Sequence, residues 1–420
     1  MKKFLLVLAL LLAMTNAATA SELDAADIRL TCAMCSFGAY SSDESYLMRS
    51  LLNARGWTIE KISTNSARAD AKGYLVSRGD VKILAIAGTE TLKDVEVDFR
   101  FGRVNLNDNT TLDEDDKASA DKLFVHRGFR DYADVVLSEG LGERLMASLK
   151  KNPNETLYLT GHSLGGAVAI VAGIRLTDRG VDKNRLQVIT FGSPAVGSRA
   201  LAKTYADRLN LTRVAMKGDV LKKSLRALGY VQFGQTIEYR QSLDDNHFEH
   251  KMAVYLDCAF RDYYAAGGNL RHDSSDKVPA KIYAAPLIVL KGGLSKPDRE
   301  LILLALDDSL ANHFGNVTFA DERSVELKEK DIPDGNFNEF IAAARDRDCR
   351  YVLIRILRAK KIRDAPLGDR LVTLEEIVLD ANGFPLSMQT SGASTENLTI
   401  FEAALTAQES LNATLKSAIK

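Results

Sequence analysis

The sequence predicts an α/β protein with a doubly wound, largely parallel sheet, followed by a second, smaller α/β domain. Strand-like and helical stretches alternate between residues 43 and 263, as they do in doubly wound folds. A polar, turn-rich stretch at residues 264–280 interrupts this alternation. The chain also has 420 residues, which is more than one ordinary core holds at about 100–200 residues per domain.

The composition is that of a globular protein without a strong charge bias. Hydrophobic residues make up 46% of the chain and charged residues 26%, and the formal net charge is -1. This balance does not indicate a basic face for nucleic acid or an acidic tail, so we expect no nucleic-acid partner.

The first 20 residues have the parts of a secretory signal peptide. Lys2 and Lys3 provide a basic start, an uncharged apolar run from Phe4 to Met14 follows, and Ala18-Thr19-Ala20 offers small residues to a signal peptidase. The apolar run is about half of the roughly 20 residues that span a bilayer. We expect residues 1–20 to be removed and the mature protein to be secreted or periplasmic, in a bacterium.

Export makes disulfide bonds feasible. The four cysteines are Cys32, Cys35, Cys258 and Cys349, and four cysteines allow three full pairings. The pair Cys32 and Cys35 would also suit a metal or redox site, but no second close pair or histidine cluster accompanies it. We expect a structural disulfide from Cys32 or Cys35 to Cys258.

Residues 21–265 are predicted to form the first domain. Helical stretches with apolar residues three and four apart alternate with short apolar strands. A polar segment from Asp94 to Lys122 shows no periodicity and is interpreted as a loop. The predicted elements are a helix at 43–56, strands at 73–77 and 82–87, a helix at 127–150, a strand at 156–160, a helix at 164–177, a strand at 187–191, a helix at 198–209, a strand at 212–216, a hairpin near 230–240 and a helix at 248–263.

Residues 266–280 are interpreted as a linker and residues 281–420 as a small α/β accessory domain. Asn382-Gly383 lies between alternating apolar residues, which predicts a β-hairpin there. The predicted elements are a strand at 282–291, a helix at 298–313, a strand at 317–320, a helix at 336–346, strands at 350–359, 370–380 and 384–389, and a helix at 396–418.

The order of elements in the accessory domain weakly resembles small α/β domains of cell-envelope proteins. Examples are the amino-terminal domain of TolB and the lipoprotein activators of peptidoglycan synthesis. This resemblance implies an envelope protein partner that docks on residues 281–420. The alternative is an accessory domain that only stabilises the first domain.

The stretch from Thr160 to Ala167 carries the clearest chemical signal. Gly161-x-Ser163-x-Gly165 lies between a predicted strand and a predicted helix, which is the context of a nucleophile elbow. A tight turn forces the central residue into a strained backbone conformation, and flanking glycines remove side chains that would clash. The hydroxyl then lies at the positive end of a helix. We interpret Ser163 as a nucleophile rather than as a surface serine in a glycine-rich turn.

A serine nucleophile needs a base, and the base needs an orienting acid. In a chain with a nucleophile elbow, the acid and then the histidine follow the serine in sequence. Four histidines follow Ser163. Of these, His272 lies in the predicted linker and His313 in the second domain, which leaves His247 and His250.

Asp219 is the preferred acid. It follows the predicted strand at 212–216, and loops at the carboxyl ends of parallel strands are where catalytic groups collect. The competitors, each more simply interpreted as a solvated charge, are Asp207, Asp244 and Asp245.

Five blocks together resemble the class 3 lipases, an α/β-hydrolase family that includes secreted fungal triacylglycerol lipases and plant and bacterial phospholipases A1. The resemblance covers residues 35–263. In the family's order, the blocks are Gly88-Thr89, Val125-His126-Arg127-Gly128-Phe129, Gly161 to Ala167, Phe191-Gly192-Ser193-Pro194-Ala195-Val196-Gly197, and His250-Lys251-Met252-Ala253-Val254-Tyr255-Leu256.

The resemblance implies roles for single residues. Ser163 would be the nucleophile, His250 the base and Asp219 the acid, while the backbone N–H groups of Thr89 and Leu164 would form the oxyanion hole. The implied reaction is hydrolysis of lipid or small esters through an acyl-enzyme, without a metal or organic cofactor. The alternative class of function is an envelope binding protein that keeps a degenerate hydrolase domain.

The chain departs from the family pattern in places. Ile86-Ala87 precedes Gly88 where the family usually has Phe-Arg, and Met216 stands where the acid block usually has Asn. His126 and Arg127 are interpreted as a buried structural pair, as is usual in the family. Family members often carry an apolar lid after the oxyanion block, but the segment Thr91–Lys122 is acidic in its middle. We therefore expect transient contact with a lipid surface and weak interfacial activation.

Overall fold

The computed structural model describes most of the chain after residue 20. The predicted signal peptide, Thr89 and most of the segment Thr91–Lys122 lie outside the described residues. The described ranges are 21–40, 46–65, 70–88, 102–106, 111–112, 122–138, 140–219, 225–242, 244, 247–272, 276–333, 335–363 and 369–419.

The chain divides into two compact units that differ from the predicted domains in their limits. The first unit runs to Gln241 and also includes Phe248–Phe260, whereas the second unit consists of Ser242–His247 and the residues from Arg261 onward. The division therefore falls inside a helix and not in the predicted linker at 266–280. Arg261 belongs with the second unit because its guanidinium pairs with Asp298.

The strands of the first unit alternate with helices, as the sequence predicts. They are β1 (Thr58–Asn65), β2 (Asp70–Arg78), β3 (Val81–Ile86), β4 (Arg103–Asn105), β5 (Thr111–Leu112), β6 (Phe124–His126), β7 (Thr156–His162), β8 (Leu186–Phe191), β9 (Asn210–Met216) and β10 (Gln235–Tyr239). Seven of them form one sheet in the order β1-β2-β3-β7-β8-β9-β10. Strands β1 to β3 pair antiparallel, and β3, β7, β8, β9 and β10 run parallel. The predicted α/β fold is confirmed.

The helices of the first unit cover this sheet. They are α1 (residues 21–38), α2 (Tyr46–Ala54), α3 (Arg127–Val136), α4 (Leu141–Lys151), α5 (Leu164–Asp178), α6 (Arg199–Tyr205) and α7 (Met252–Ala265). Helix α5 is buried along almost its whole length and packs on β7 and β8. Its glycines and alanines allow this close approach, since an added Cβ on Gly173 would lie 2.8 Å from Val188 Cγ2. The start of α5 is thereby fixed against the carboxyl end of β7.

Three predicted elements of the first unit are wrong in detail. The predicted helix at 127–150 is two helices, because Gly140 adopts a left-handed φ of 80° between them. The predicted hairpin near 230–240 contains only β10, which pairs parallel with β9. The segment interpreted as a loop holds the short strands β4 and β5, which pair with each other.

Elements α1, β1 and β6 of the first unit have no counterpart in the sequence prediction. Helix α1 is buried on all sides from Leu30 to its end, so this half has no polar face and no amphipathic period. Strand β1 begins a few residues after the short helix α2 and lies at the edge of the sheet. Its sequence is largely polar, as is common in edge strands.

The predicted disulfide between Cys32 or Cys35 and Cys258 is wrong, since all four cysteines are free and buried. Burial raises the pKa of Cys32 to about 12 and raises that of Cys35 as well. Cys258 lies on α7, where its thiol contacts the Arg240 carbonyl oxygen. The cysteines thus act as small apolar side chains in the core, with Cys32 and Cys35 one turn apart on α1.

The second unit is a separate α/β fold around a mixed sheet. Its strands are β11 (Val278–Ala284), β12 (Leu287–Leu290), β13 (Phe314–Phe319), β14 (Ser324–Leu327), β15 (Tyr351–Lys361), β16 (Arg370–Asp380) and β17 (Pro385–Ser394). Its helices are α8 (Lys296–His313), α9 (Asn338–Asp346) and α10 (Ile400–Ala418). Strands β11 and β12 both pair parallel with β15, and β16 and β17 continue antiparallel. None of the described helices is both long and apolar enough to cross a bilayer.

The sequence prediction of the second unit is close except at two strands. The hairpin at Asn382-Gly383 is confirmed, with Gly383 at a φ of 90°. The predicted strand at 282–291 is interrupted at Ala285-Pro286, because proline lacks the N–H that a ladder needs. Strand β14 has no counterpart in the prediction.

We predict that Gly165→Ala destabilises the first unit by about 3 kcal/mol, the upper end of the usual cost of overpacking. The new Cβ would lie 2.2 Å from the Ile86 carbonyl oxygen, which is backbone and cannot move aside. Gly38→Ala is the matched control, because no atom lies within 4 Å of its added Cβ. Urea unfolding measures both, and equal effects of the two substitutions would contradict the prediction.

Candidate active site

The turn between β7 and α5 holds Ser163 in a strained backbone conformation. Its φ is 55° and its ψ is -123°, a region that L-residues rarely adopt. The Ser163 N–H donates to the Phe191 carbonyl oxygen on the neighbouring strand at 3.0 Å. The predicted nucleophile elbow therefore has the expected geometry, with Ser163 immediately before the first residue of α5.

The two elbow glycines are required by close backbone contacts. An added Cβ on Gly161 would lie 2.4 Å from the Gly165 carbonyl carbon. An added Cβ on Gly165 would meet the Ile86 carbonyl oxygen on β3. Any side chain at either position would force β7, α5 and β3 apart, and the turn at Ser163 would open.

Ser163, His250 and Asp219 form one hydrogen-bonded chain. The distance between Ser163 Oγ and His250 Nε2 is 2.8 Å, and that between His250 Nδ1 and Asp219 Oδ2 is also 2.8 Å. The aspartate carboxylate can only accept, so Nδ1 carries the hydrogen and Nε2 accepts from the serine hydroxyl when the ring is neutral. Ser163 is 3% exposed, His250 4% and Asp219 2%, so their hydrogen bonds are shielded from water.

The three side chains are positioned in different ways by the fold. Ser163 follows β7 and Asp219 follows β9, both inner strands of the parallel sheet. His250 lies in a turn just before α7 and belongs to no strand or helix. The imidazole is therefore positioned by side-chain contacts and by the segment that surrounds it.

Tyr255 is a fourth member of the site. Its hydroxyl donates to Asp219 Oδ2 at 2.6 Å and accepts from the Met216 N–H at 3.1 Å. Burial and the adjacent carboxylate raise the pKa of Tyr255 well above its ordinary value, so the phenol remains a donor. Tyr255 was part of the motif that resembles lipases, but its contact with Asp219 is not visible in the sequence.

Gly192, a residue of the motif Phe191–Gly197, also lies against this site. Its φ is 59°, and an added Cβ would lie 2.9 Å from the Tyr255 hydroxyl and 3.1 Å from Asp219 Oδ2. Both the backbone conformation and the lack of space therefore require glycine under the carboxylate.

His162 supports His250 from the opposite side. Its Nε2 lies 2.7 Å from the His250 carbonyl oxygen and its Nδ1 lies 2.7 Å from the Tyr40 hydroxyl. Burial, together with the nearby His250, lowers the pKa of His162 to about 3. The ring is thus neutral, with Nε2 donating to the carbonyl and Nδ1 accepting from Tyr40. This residue links α1 to the turn that holds His250.

Only part of the predicted oxyanion hole lies within the described residues. Leu164 is the first residue of α5, where a backbone N–H has no partner inside the helix. Thr89 lies outside the described residues. Gly88, which precedes it, is close to the elbow, since its added Cβ would lie 2.7 Å from the His162 carbonyl oxygen.

The hydrogen bonds described above join both the Ser163 hydroxyl and the Asp219 carboxylate to His250. His247 and Asp244 belong to the second unit, and His126 is buried and stacks on Phe129 with ring centroids 4.2 Å apart. Among the described residues, no group of three or more His, Cys, Asp and Glu side chains is arranged to hold a metal ion.

Comparison with known proteins shows what this part of the chain is similar to. Residues 83–226 match the family model described as lipase (class 3). The matched stretch includes the elbow, Asp219 and the parallel strands β3, β7, β8 and β9, whereas His250 lies beyond its end.

Several lipases are similar to part of this chain. The secreted mono- and diacylglycerol lipase A of Penicillium cyclopium is 28% identical over 183 residues, which cover 43% of this chain and 55% of the relative. The chloroplastic phospholipase A1 of Arabidopsis thaliana is 28% identical over 148 residues, covering 34% and 21%. The chain spans about half the length of the Penicillium relative and less of the plant enzyme.

The solved structures include a lipase from Rhizopus microsporus var. chinensis. It is 21% identical, with a TM-score of 0.42, and the match covers 54% of this chain and 77% of the other.

We predict that Tyr255→Phe lowers kcat about tenfold for a soluble ester. The carboxylate of Asp219 loses a buried donor and holds His250 less firmly, since hydrogen bonds to charged groups contribute about 1.5–3 kcal/mol. Tyr263→Phe is the control, because that hydroxyl lies on the same helix and donates to the Asn269 carbonyl oxygen at 2.9 Å. An equal loss of kcat in both variants would contradict a specific role for Tyr255.

We predict that His162→Asn makes the free energy of unfolding less dependent on pH below neutrality. The unfolded chain binds a proton at His162 near pH 6.5, whereas the folded chain binds it only near pH 3. The folded state therefore loses stability as pH falls between these values, by at most about 1.4 kcal/mol per pH unit. Urea unfolding between pH 7 and pH 4 measures the slope, and parallel curves for variant and wild type would contradict the prediction.

Proposed function

We propose that the first unit is a serine carboxylic-ester hydrolase that acts on lipid esters, with Ser163 as nucleophile, His250 as general base and Asp219 as orienting acid. The observation that carries the proposal is the continuous pair of hydrogen bonds from Ser163 through His250 to Asp219. A strained serine between a strand and a helix supports it further, because that conformation persists only where packing enforces it.

The reaction follows from this arrangement. His250 Nε2 takes the proton of Ser163 Oγ as that oxygen attacks the ester carbonyl carbon. The Asp219 carboxylate stabilises the imidazolium that forms, and Tyr255 keeps the carboxylate in place. His250 then gives the proton to the departing alcohol, which leaves an acyl-enzyme. A water molecule, deprotonated by His250, releases the acid and restores Ser163.

The oxyanion of each tetrahedral intermediate needs backbone donors. We assign these to the N–H groups of Leu164, at the positive end of α5, and of Thr89. A donor of this kind contributes about 3 kcal/mol to stabilisation of the transition state. The chemistry of these groups requires neither a metal nor an organic cofactor.

A lipid ester is the substrate class that the relatives favour. One relative is described as a mono- and diacylglycerol lipase and another as a phospholipase A1. Both names refer to enzymes that act on lipids. The Penicillium relative is also described as secreted, which agrees with our proposal that residues 1–20 direct export.

We predict that Ser163→Ala lowers kcat on p-nitrophenyl esters about 10⁴-fold or more, because the nucleophile is removed. The same variant is expected to lose covalent labelling by a fluorophosphonate probe. Ser36→Ala is the control, since this buried serine bonds to Thr160 Oγ1 at 3.0 Å and should retain labelling. Retained hydrolysis or labelling in a folded Ser163→Ala variant would refute the proposal.

A further inference from the structure

The phenol of Tyr40 begins a series of hydrogen bonds that ends at the proposed base. Tyr40 follows α1, and its hydroxyl oxygen lies 2.7 Å from His162 Nδ1. His162 Nε2 in turn lies 2.7 Å from the His250 carbonyl oxygen. Two hydrogen bonds therefore join the end of α1 to the main chain of His250, and all three residues belong to the first unit.

The main chain that leads to Tyr40 is held against the central sheet. The second half of α1 is buried on all sides, and the Ser36 hydroxyl bonds to Thr160 Oγ1 on β7 at 3.0 Å. Beyond the helix, the Tyr40 N–H donates to the Phe37 carbonyl oxygen at 3.2 Å. The phenol therefore starts from a fixed point relative to β7, the strand that ends at His162.

The hydrogen-bond partners of His162 allow only one tautomer of its ring. A carbonyl oxygen can only accept, so Nε2 must carry the hydrogen that bonds to the His250 carbonyl. Burial and the adjacent His250 lower the pKa of His162 to about 3, so the ring is neutral and its Nδ1 carries no hydrogen. Tyr40 therefore donates to Nδ1 and favours the tautomer that has its hydrogen on Nε2.

The Tyr40 hydroxyl also sets the orientation of the His162 ring. A rotation of the imidazole by 180° exchanges each ring nitrogen with a ring carbon, so a C–H group would then face the His250 carbonyl. Such a rotation would also take Nδ1 away from the Tyr40 hydroxyl and leave a buried hydrogen bond unmade, which costs free energy. The hydroxyl therefore favours the one orientation that keeps the bond to His250.

The same hydroxyl lies beside the chain that follows β3. An added Cβ on Gly88 would lie 2.7 Å from the Tyr40 hydroxyl oxygen and 2.7 Å from the His162 carbonyl oxygen. The phenol thus occupies the space between the ends of β3 and β7, where a side chain at position 88 would otherwise lie. This packing limits the movement of the hydroxyl away from His162.

We propose that Tyr40 is a positioning residue for the hydrolase reaction and that it acts through His162. Its hydroxyl keeps the His162 ring in the tautomer and orientation that hold the His250 carbonyl oxygen, so that the His250 imidazole stays within hydrogen-bond distance of Ser163. This role rests on the proposed function of the first unit. Asp219 still orients the imidazole when Tyr40 is changed, so the expected loss of activity is moderate.

The first experiment removes the hydroxyl group alone. We expect Tyr40→Phe to lower kcat on p-nitrophenyl butyrate about 3-fold to 10-fold, and fluorophosphonate labelling of Ser163 to slow by the same factor. KM should stay within about twofold of wild type, because the hydroxyl acts on the base and not on the bound ester.

Tyr205→Phe is the matched control. Its phenol is buried and donates to Asp178 Oδ2 at 2.6 Å, and Asp178 is the last residue of α5, at the opposite end of that helix from Ser163. We expect this variant to lower Tm while kcat and the labelling rate stay near the wild-type values.

Two substitutions of His162 separate the roles of its two nitrogens. Glutamine places an amide N–H near the position of Nε2 and can still bond to the His250 carbonyl, but it offers no acceptor near the position of Nδ1. Asparagine can still accept from Tyr40 but is too short to reach that carbonyl. We expect His162→Asn to lower kcat about tenfold and His162→Gln to lower it less. The double variant His162→Gln with Tyr40→Phe should be no slower than His162→Gln, because the two side chains no longer interact.

Nitrogen-15 NMR of the imidazole rings provides a readout that does not depend on turnover. The His162 signals are assigned by their absence in His162→Gln. In the wild-type protein, we expect hydrogen on Nε2 of His162 and none on Nδ1. In Tyr40→Phe, the signals should move toward those of a ring that exchanges between tautomers.

The outcomes distinguish this role from the proposed function. An unchanged kcat in Tyr40→Phe, or an equal loss of kcat in Tyr205→Phe, would overturn the positioning role. So would a His162→Gln variant that is slower than His162→Asn, and this comparison decides the question if Tyr40→Phe does not fold. Failure of the wild-type protein to react with the fluorophosphonate would refute the proposed function and, with it, the role of Tyr40, even if NMR shows the expected tautomer.

Discussion

The chain turns from β7 into α5 at Ser163 with a φ of 55°, a conformation that costs an L-residue of order 1–3 kcal/mol. The turn is maintained because the elements around it have no room to relax. Gly161 and Gly165 approach each other and the Ile86 carbonyl at distances that no side chain would permit. The burial of α5 on both adjoining strands holds its first turn in place. The hydroxyl, the helix dipole and the first free N–H of α5 therefore meet at one point.

Around this turn, two of the three residues are positioned by strands of the sheet and the third by side-chain hydrogen bonds. Ser163 and Asp219 follow β7 and β9, and each of these strands is hydrogen-bonded to a neighbour on both sides. His250 depends instead on long-range contacts. The neutral ring of His162 holds its carbonyl oxygen, and Tyr255 holds the carboxylate that orients it.

Features that depend on residues close together in the chain could be predicted from the sequence. Features that depend on residues far apart in the chain could not. The elbow is a local motif, so Gly161, Ser163 and Gly165 could be assigned from their spacing. The hairpin at Gly383 was equally local. In contrast, α1 is buried on every side from Leu30 onward, so that half has no periodicity to detect, and the parallel pairing of β10 depends on β9. The disulfide prediction failed because export permits a bond but does not bring two cysteines together.

The sequence by itself determined the α/β class, the strained serine and the three residue types from which a hydrolase site could be built. These follow from short-range rules, in which spacing, glycine and strand–helix order are sufficient. Only the tertiary structure decided that His250 and not His247 bonds to Ser163, and that Tyr255 and His162 complete the arrangement. Each of these contacts joins residues far apart in the chain, and no local pattern specifies which distant side chains will meet.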